Sequence, residues 1–194
     1  MAILDVPSST QDGWIHATSG VADIVNNTAN DLITSVSSSS GFSEYRSYAF
    51  FAPPALPGGA TVTGVSLNLT VNASFDDFLA SLLIYICKNA CIGTTLTLTD
   101  YAGVQTAPGA SLIYNSNFPG VGLLTIPLVL NTDINTSQTA NIECVSSAID
   151  ANTSFVHFDS ANKVGGVAPY IRWTYTPAAG ANPPPLRTLL NYGT

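Results

Sequence analysis

Two histidines, His16 and His157, three cysteines, Cys87, Cys91 and Cys144, and twelve carboxylates are the residues of this chain that could do chemistry. A serine hydrolase needs a nucleophile, an imidazole base and an orienting acid. No Gly-x-Ser-x-Gly elbow occurs. His16 follows Trp14-Ile15, and His157 sits within Phe155-Val-His-Phe158, so each reads as one face of a strand. The single adjacent acid pair, Asp76-Asp77, reads as two solvated loop acids rather than a calcium site, because a hard cation wants several oxygen ligands. No phosphate-cradling glycine loop is present. Nothing indicates two carboxyls spaced for glycoside hydrolysis. The expectation is a protein with no catalytic residues, no metal and no cofactor.

The cysteines are odd in number, and Cys87 and Cys91 are separated by Lys88-Asn89-Ala90. A zinc site would need a second cluster of ligands, which the chain lacks. Small buried thiols are the favoured reading. A Cys87–Cys91 disulfide is the alternative, at the cost of a demanding geometry.

Aromatic rings could stack on sugars. Trp173 shares strand parity with Ile171 and Tyr175 and reads as core, which leaves Trp14, Tyr101 and Tyr114 as candidate ligand contacts. Arg46, at the head of a strand, reads as a structural hydrogen-bond donor. The five basic residues are scattered, and the net charge is −7. Phosphate backbones and anionic bilayers select clustered Lys and Arg, so neither nucleic acid nor a membrane is an expected partner. Charged residues make up only 9% of the chain, against about 25% in an average soluble domain. The surface is therefore mostly Ser, Thr, Asn and Gly, as suits protein packed on protein or a particle outside a cell. Five Asn-x-Ser/Thr tripeptides read as a by-product of that composition.

These residues must be positioned by strands. Val65-Ser-Leu-Asn-Leu-Thr-Val71 alternates strictly, as a half-buried antiparallel strand does. Val62 lies on the opposite parity, and Gly64 between them predicts a bulge. Ser81 to Cys87 is apolar on both parities, which predicts a central strand. Leu123 to Leu130 contains Pro127 and so belongs at an edge or a bulge. Further strands are predicted over Gly13–Ala17, Ser47–Phe51, Thr94–Thr99, Thr139–Ser146, Phe155–Asp159 and Tyr170–Tyr175, with one helical turn at most over Leu32–Val36. Turn clusters include Asn72 to Asp77, Pro108-Gly109 and Asn115 to Gly122. Short strands at this spacing predict an all-β sandwich or barrel. No run is long and apolar enough for a membrane helix. Residues 1–176 form the domain. Residues 177–194 form an arm, in which Pro183, Pro184 and Pro185 favour an extended path and Leu186, Leu189, Leu190 and Tyr192 dock on the same domain or on a neighbour.

Three segments together resemble the jelly-roll domains of the DNRLRE type, which are related to carbohydrate-binding modules. They are Gln11-Asp-Gly-Trp-Ile15, then Arg46-Ser-Tyr-Ala-Phe-Phe51 with Leu56-Pro-Gly-Gly-Ala-Thr-Val-Thr-Gly-Val-Ser-Leu-Asn-Leu69, then Ala168-Pro-Tyr-Ile-Arg-Trp-Thr-Tyr-Thr-Pro177. Residues 100–155 carry no part of the resemblance. It implies a jelly-roll-like antiparallel β-sandwich without catalytic residues, of the kind found in tailed-phage virion proteins and secreted bacterial proteins. No secretory signal is visible at the start of the chain, which favours the former. The expected function is a capsid decoration (cement) protein or a spike or fibre component on the outer surface of a phage virion. It would be a homotrimer contacting other virion proteins. The alternative is a glycan-binding adhesion module, and host surface glycans are partners that fit both readings.

Overall fold

The computed structural model describes residues 1–37, 43–75, 81–89, 91–93, 95–101, 103–147 and 154–179. Its strands are β1 (Ala2–Pro7), β2 (Gly13–Thr18), β3 (Val21–Asn26), β4 (Asp31–Ser37), β5 (Ser43–Phe51), β6 (Thr61–Phe75), β7 (Ser81–Cys87), β8 (Ala110–Asn117), β9 (Gly122–Leu128), β10 (Ala140–Ser146), β11 (Ser154–Asp159) and β12 (Tyr170–Thr176). Hydrogen bonding runs β1-β12-β6-β11-β4-β5-β10-β7-β8, with β2 on β5, β3 on β2 and β9 on β6. Every pairing between these strands is antiparallel. The result is the expected jelly-roll-like β-sandwich, made by one sheet curling over itself.

Two long strands turn the sheet. Ser47 and Tyr48 of β5 pair with both β2 and β10, while Ser43, Glu44 and Tyr45 pair with both β2 and β4. β4 and β10 therefore succeed each other along one edge of β5, and the sheet divides there into two layers. Thr34 bridges the division, its hydroxyl bonded to Ser47 Oγ at 2.6 Å and donating to the Cys144 carbonyl. β6 behaves alike. Val71 pairs with both Gly122 and Phe158, so β9 holds one edge while β12 and then β11 hold the other.

The core lies between the layers. Val65, Leu67, Leu69 and Val71 of β6, with Ile171 and Trp173 of β12, pack on Leu82, Ile84 and Ile86 of β7 and Ala140, Ile142 and Cys144 of β10. Full burial of one such large apolar side chain contributes about 1.5–3 kcal/mol. The bulge predicted beside Gly64 is present: Thr174 faces Gly64 and Tyr175 faces Val62, leaving Thr63 as the extra residue. Of the edge or bulge expected for β9, the edge is what forms: among the described residues it pairs only with β6.

Several expectations need correction. Leu32–Val36 is no helical turn but the middle of β4, whose Leu32, Thr34 and Val36 alternate inward. Among residues 95–99 there is no strand. The Asp100 carboxylate accepts from the backbone N–H and hydroxyl of Thr97, which folds Leu98–Asp100 into a 3₁₀ turn. β6 runs on to Phe75 through the expected turn at Asn72, which it absorbs as a bulge. Residues 110–117 form β8, in place of the turn expected from Asn115. Cys87 and Cys91 are joined as a disulfide, and the free thiol is the buried Cys144. Among the described residues no helix is long and apolar enough to cross a membrane. The arm from residue 180, with all of its named Pro, Leu and Tyr residues, lies outside the described residues, as do Asp76 and Asp77.

Candidate functional site

Where β5 divides the sheet, its two faces receive opposite treatment. One face carries Glu44, Arg46, Tyr48 and Phe50, and the chain between β7 and β8 folds across it. Ile92, Leu96 and Val104 from that segment pack with Ile15, Tyr48, Phe50 and Cys87 into a second, smaller core. The disulfide fastens the start of the segment to the end of β7. Beneath it lies a charged cluster. Arg46 Nε donates to Glu44 Oε1 at 2.7 Å, and its Nη1 donates to Glu143 Oε1 at 3.1 Å. Tyr48 donates to Glu143 Oε1, and the Gln105 backbone N–H donates to Oε2 at 2.8 Å. Tyr101 donates to Glu44 Oε2 at 2.5 Å, and the Arg46 guanidinium lies 4.0 Å over its ring.

The electrostatics follow from burial. Desolvation raises the pKa of Glu143 despite the donors from Gln105, Arg46 and Tyr48. Burial works against the Arg46 charge, but hydrogen bonding to Glu44 and the charges of Glu44 and Glu143 hold it firmly protonated. Tyr101 is pushed up to about 12, by burial first and then by its bond to Glu44. Arg46 thus has the structural hydrogen-bonding role expected of it. Both carboxylates are buried against it, so the cluster pins the covering segment down and does not offer two acids to a substrate.

The other face is open at its Ser43–Tyr45 end, whereas Ala49 and Phe51 farther along it belong to the main core. Directly opposed residues form a row across six strands: Ile24, His16, Tyr45, Ser35, Phe155 and Phe75. At about 4.8 Å per strand the row is about 24 Å long. Ile24 and Phe75 are half exposed, at 50% and 51%. Trp14 stands beside the row, its ring centroid 5.1 Å from Tyr45 in an edge-on contact. Phe155 lies 6.0 Å from Phe75 and 5.1 Å from His157. The bulge at Asn72 brings Ala73 and Phe75 onto this face, because it reverses the inward parity of Val65 to Val71.

Within the face, His16 is held at both ring nitrogens. Nδ1 meets Asp23 Oδ1 at 2.5 Å, and Nε2 meets Ser43 Oγ at 2.8 Å. Asp23 is the extra residue of a bulge in β3, which re-aims its side chain toward His16. It also accepts from Thr18, and this bond, followed by the one to His16, lowers its pKa. Serine, imidazole and carboxylate stand in the order of a nucleophile relay. Acyl transfer also requires donors placed for an oxyanion, and the segment preceding Ser43, residues 38–42, lies outside the described residues. The geometry itself is a fixed polar array beside aromatic rings, able to donate and accept hydrogen bonds. Sequence motifs did not reveal it, because its members come from three strands and Asp23 owes its direction to a bulge.

No protein-family model matches the chain, and no curated protein matches it in sequence. The site is therefore read from geometry. Of the candidate ligand aromatics, Trp14 lies on the open face. Tyr101 is turned inward over Arg46 on the opposite side of β5. Tyr114, on β8, packs against the main core and donates to the Asn117 carbonyl at 3.4 Å. The three share no surface. Tyr45, Phe155 and Phe75 join Trp14 instead, and only strand register brings them together. Among the described residues no group of His, Cys, Asp and Glu could hold a metal ion.

Proposed function

We propose that this protein is a non-catalytic surface module of a virus particle, a capsid decoration (cement) protein or a spike or fibre component of a phage. It works as a homotrimer against other virion proteins. The observation that carries the reading is the asymmetry of the two outer faces. One is sealed by its own chain, and the other leaves a row of aromatic side chains uncovered for contact. A low-charge surface of Ser, Thr and Asn suits packing against neighbours, and the resemblance to phage and secreted jelly rolls points the same way. The test is the molar mass of the full chain by light scattering, together with co-sedimentation on particles stripped of their surface proteins. A mass three times the 20.2 kDa of the chain, and saturable binding to the stripped particles, support the proposal. A monomer that stays in the supernatant overturns it.

A second reading, recognition of neutral glycans, is favoured by one feature. Trp14 and Tyr45 stand beside the polar His16–Asp23–Ser43 array, which combines ring-stacking area with hydrogen-bond partners for hydroxyls. Trp14→Ala and Tyr45→Ala would then each weaken retention on a glycan array at least tenfold without changing Tm by more than a few degrees. Equal retention of both variants and the parent removes this reading.

A further inference from the structure

β6 has a free edge. β12 covers Thr61 to Asn68 on one side, but β9 covers the other side only from Val65 onward, where Leu128 is the last partner. Among the described residues no strand pairs with that side over Thr61–Gly64. Thr61, Thr63 and Gly64 are exposed, and the chain continuing from β9 presents Val129, 60% exposed. Val62, Val65, Leu128, Val129 and Leu130 line an apolar slot of about 300 Å³ along this edge. An unpaired edge beside an apolar slot is a template for strand addition.

We propose that the slot receives residues 186–192 of the same chain, added as a short strand along Thr61–Gly64. The sequence of that segment fits. Leu186, Thr188, Leu190 and Tyr192 fall on one parity, and Arg187 and Asn191 fall on the other with Leu189. One face is thus mostly apolar and the other mostly polar, which is what a slot on one side and solvent on the other require. The starting point also fits. Thr176 is the last residue of β12 and pairs with Thr61, and a side chain on Gly59 would meet the Ala178 methyl at 3.0 Å, so the arm departs beside the first residues of β6. From β12 to the far side of β6 is about two strand spacings, or about 10 Å. Residues 180–185 reach about 20 Å when extended, and the Pro183–Pro185 run alone spans about 9 Å as polyproline II. A tether that exceeds the span by only twofold holds its tip at millimolar effective concentration, far above what a second copy supplies in dilute solution. The intramolecular occupant is therefore the one proposed.

The experiment compares the full chain, a chain ending at Ala179 and full-length Leu190→Asp. Amide exchange is followed by NMR over Thr61–Gly64, with molar mass measured on the same samples. Expected is at least tenfold slower exchange in the full chain at the amides directed away from β12, lost equally in the other two proteins, with protection independent of protein concentration. Exchange rates over Thr61–Gly64 that are the same in all three proteins overturn the proposal. Protection that disappears on dilution together with a multimeric mass also overturns it, by making the occupant the arm of another copy. Particle attachment through the open face is read by a different assay and can stand or fall separately.

Discussion

Asp12→Asn is the perturbation that most directly tests how the β1–β2 end of the sandwich is closed. Asp12 is fully buried. Its Oδ2 accepts from Ser8 Oγ at 2.9 Å and from the Ala161 N–H at 3.1 Å, while Oδ1 meets no partner among the described residues. Burial outweighs both donors and raises the pKa from 3.8 to about 6. The folded carboxyl keeps a proton that the unfolded chain has released. The stability contributed by the protonated acid is complete below about pH 4 and is lost as the pH rises through about 6. A shift of about two pKa units corresponds to about 3 kcal/mol. Asparagine preserves an acceptor for Ser8 and Ala161 and does not titrate. Urea unfolding of both proteins between about pH 4 and pH 7.5 gives the difference in stability at each pH. Other groups, such as Asp23 and Asp159, whose pKa values are lowered in the fold, contribute with the opposite sign but cancel in that difference. The variant should gain about 3 kcal/mol relative to the parent across the range, most of it by about pH 6. A difference that stays constant within about 0.5 kcal/mol would refute the argument that Asp12 folds as the neutral acid.

Three further outcomes follow from the covered face and the relay. Arg46→Met strands Glu44 and Glu143 without their cation, and should cost about 3–5 kcal/mol by chemical denaturation at neutral pH; a cost below about 1 kcal/mol would mean that the two acids reach water. Cys91→Ser opens a short ring and should lower stability by about 2 kcal/mol, matched by the effect of a thiol reductant on the parent. Unequal losses would show that the serine, rather than the missing bond, is responsible. On the non-catalytic reading Ser43 reacts with a fluorophosphonate no faster than other surface serines. Stoichiometric labelling of Ser43, abolished by His16→Ala, would make the His16–Asp23–Ser43 array a working nucleophile and overturn that reading.

The fold was legible wherever one face of a strand is buried and the other wet. Val65–Val71 and Tyr170–Tyr175 carry that alternation, and both are where it places them. β1 and β3 escaped because they lie at sheet edges with little buried on either side. The Thr-Leu-Thr-Leu-Thr run before Asp100 imitates alternation without being a strand, because a single carboxylate closing on Thr97 outweighs the pattern. The candidate site was legible at Trp14 alone. Register decides which aromatic residues share a surface, and one extra residue reverses a face. Asn72 does this for Phe75, and Asp23 for itself. Neither bulge residue is a glycine, so the usual marker of such a break was missing from the sequence.

The same register logic explains why one face of β5 is closed and the other can stay open at the Ser43–Tyr45 end. Glu44 and Arg46 alternate with Ser43 and Tyr45, so the charged pair and Tyr45 leave the strand in opposite directions. The charged side cannot be left under an apolar cover without partners; Glu143 and Tyr48 supply some of them from the sheet, and Tyr101 and the Gln105 N–H add theirs when the segment after Cys91 is laid across it. The aromatic side faces no such demand. Tyr45, Phe155 and Phe75 already bury part of their area against Trp14, His157 and one another, and the area left exposed is what the proposed function would use for contact. What would cover it must match both the aromatic row and the His16–Asp23–Ser43 array beside Tyr45, which is a narrower requirement than apolar surface alone.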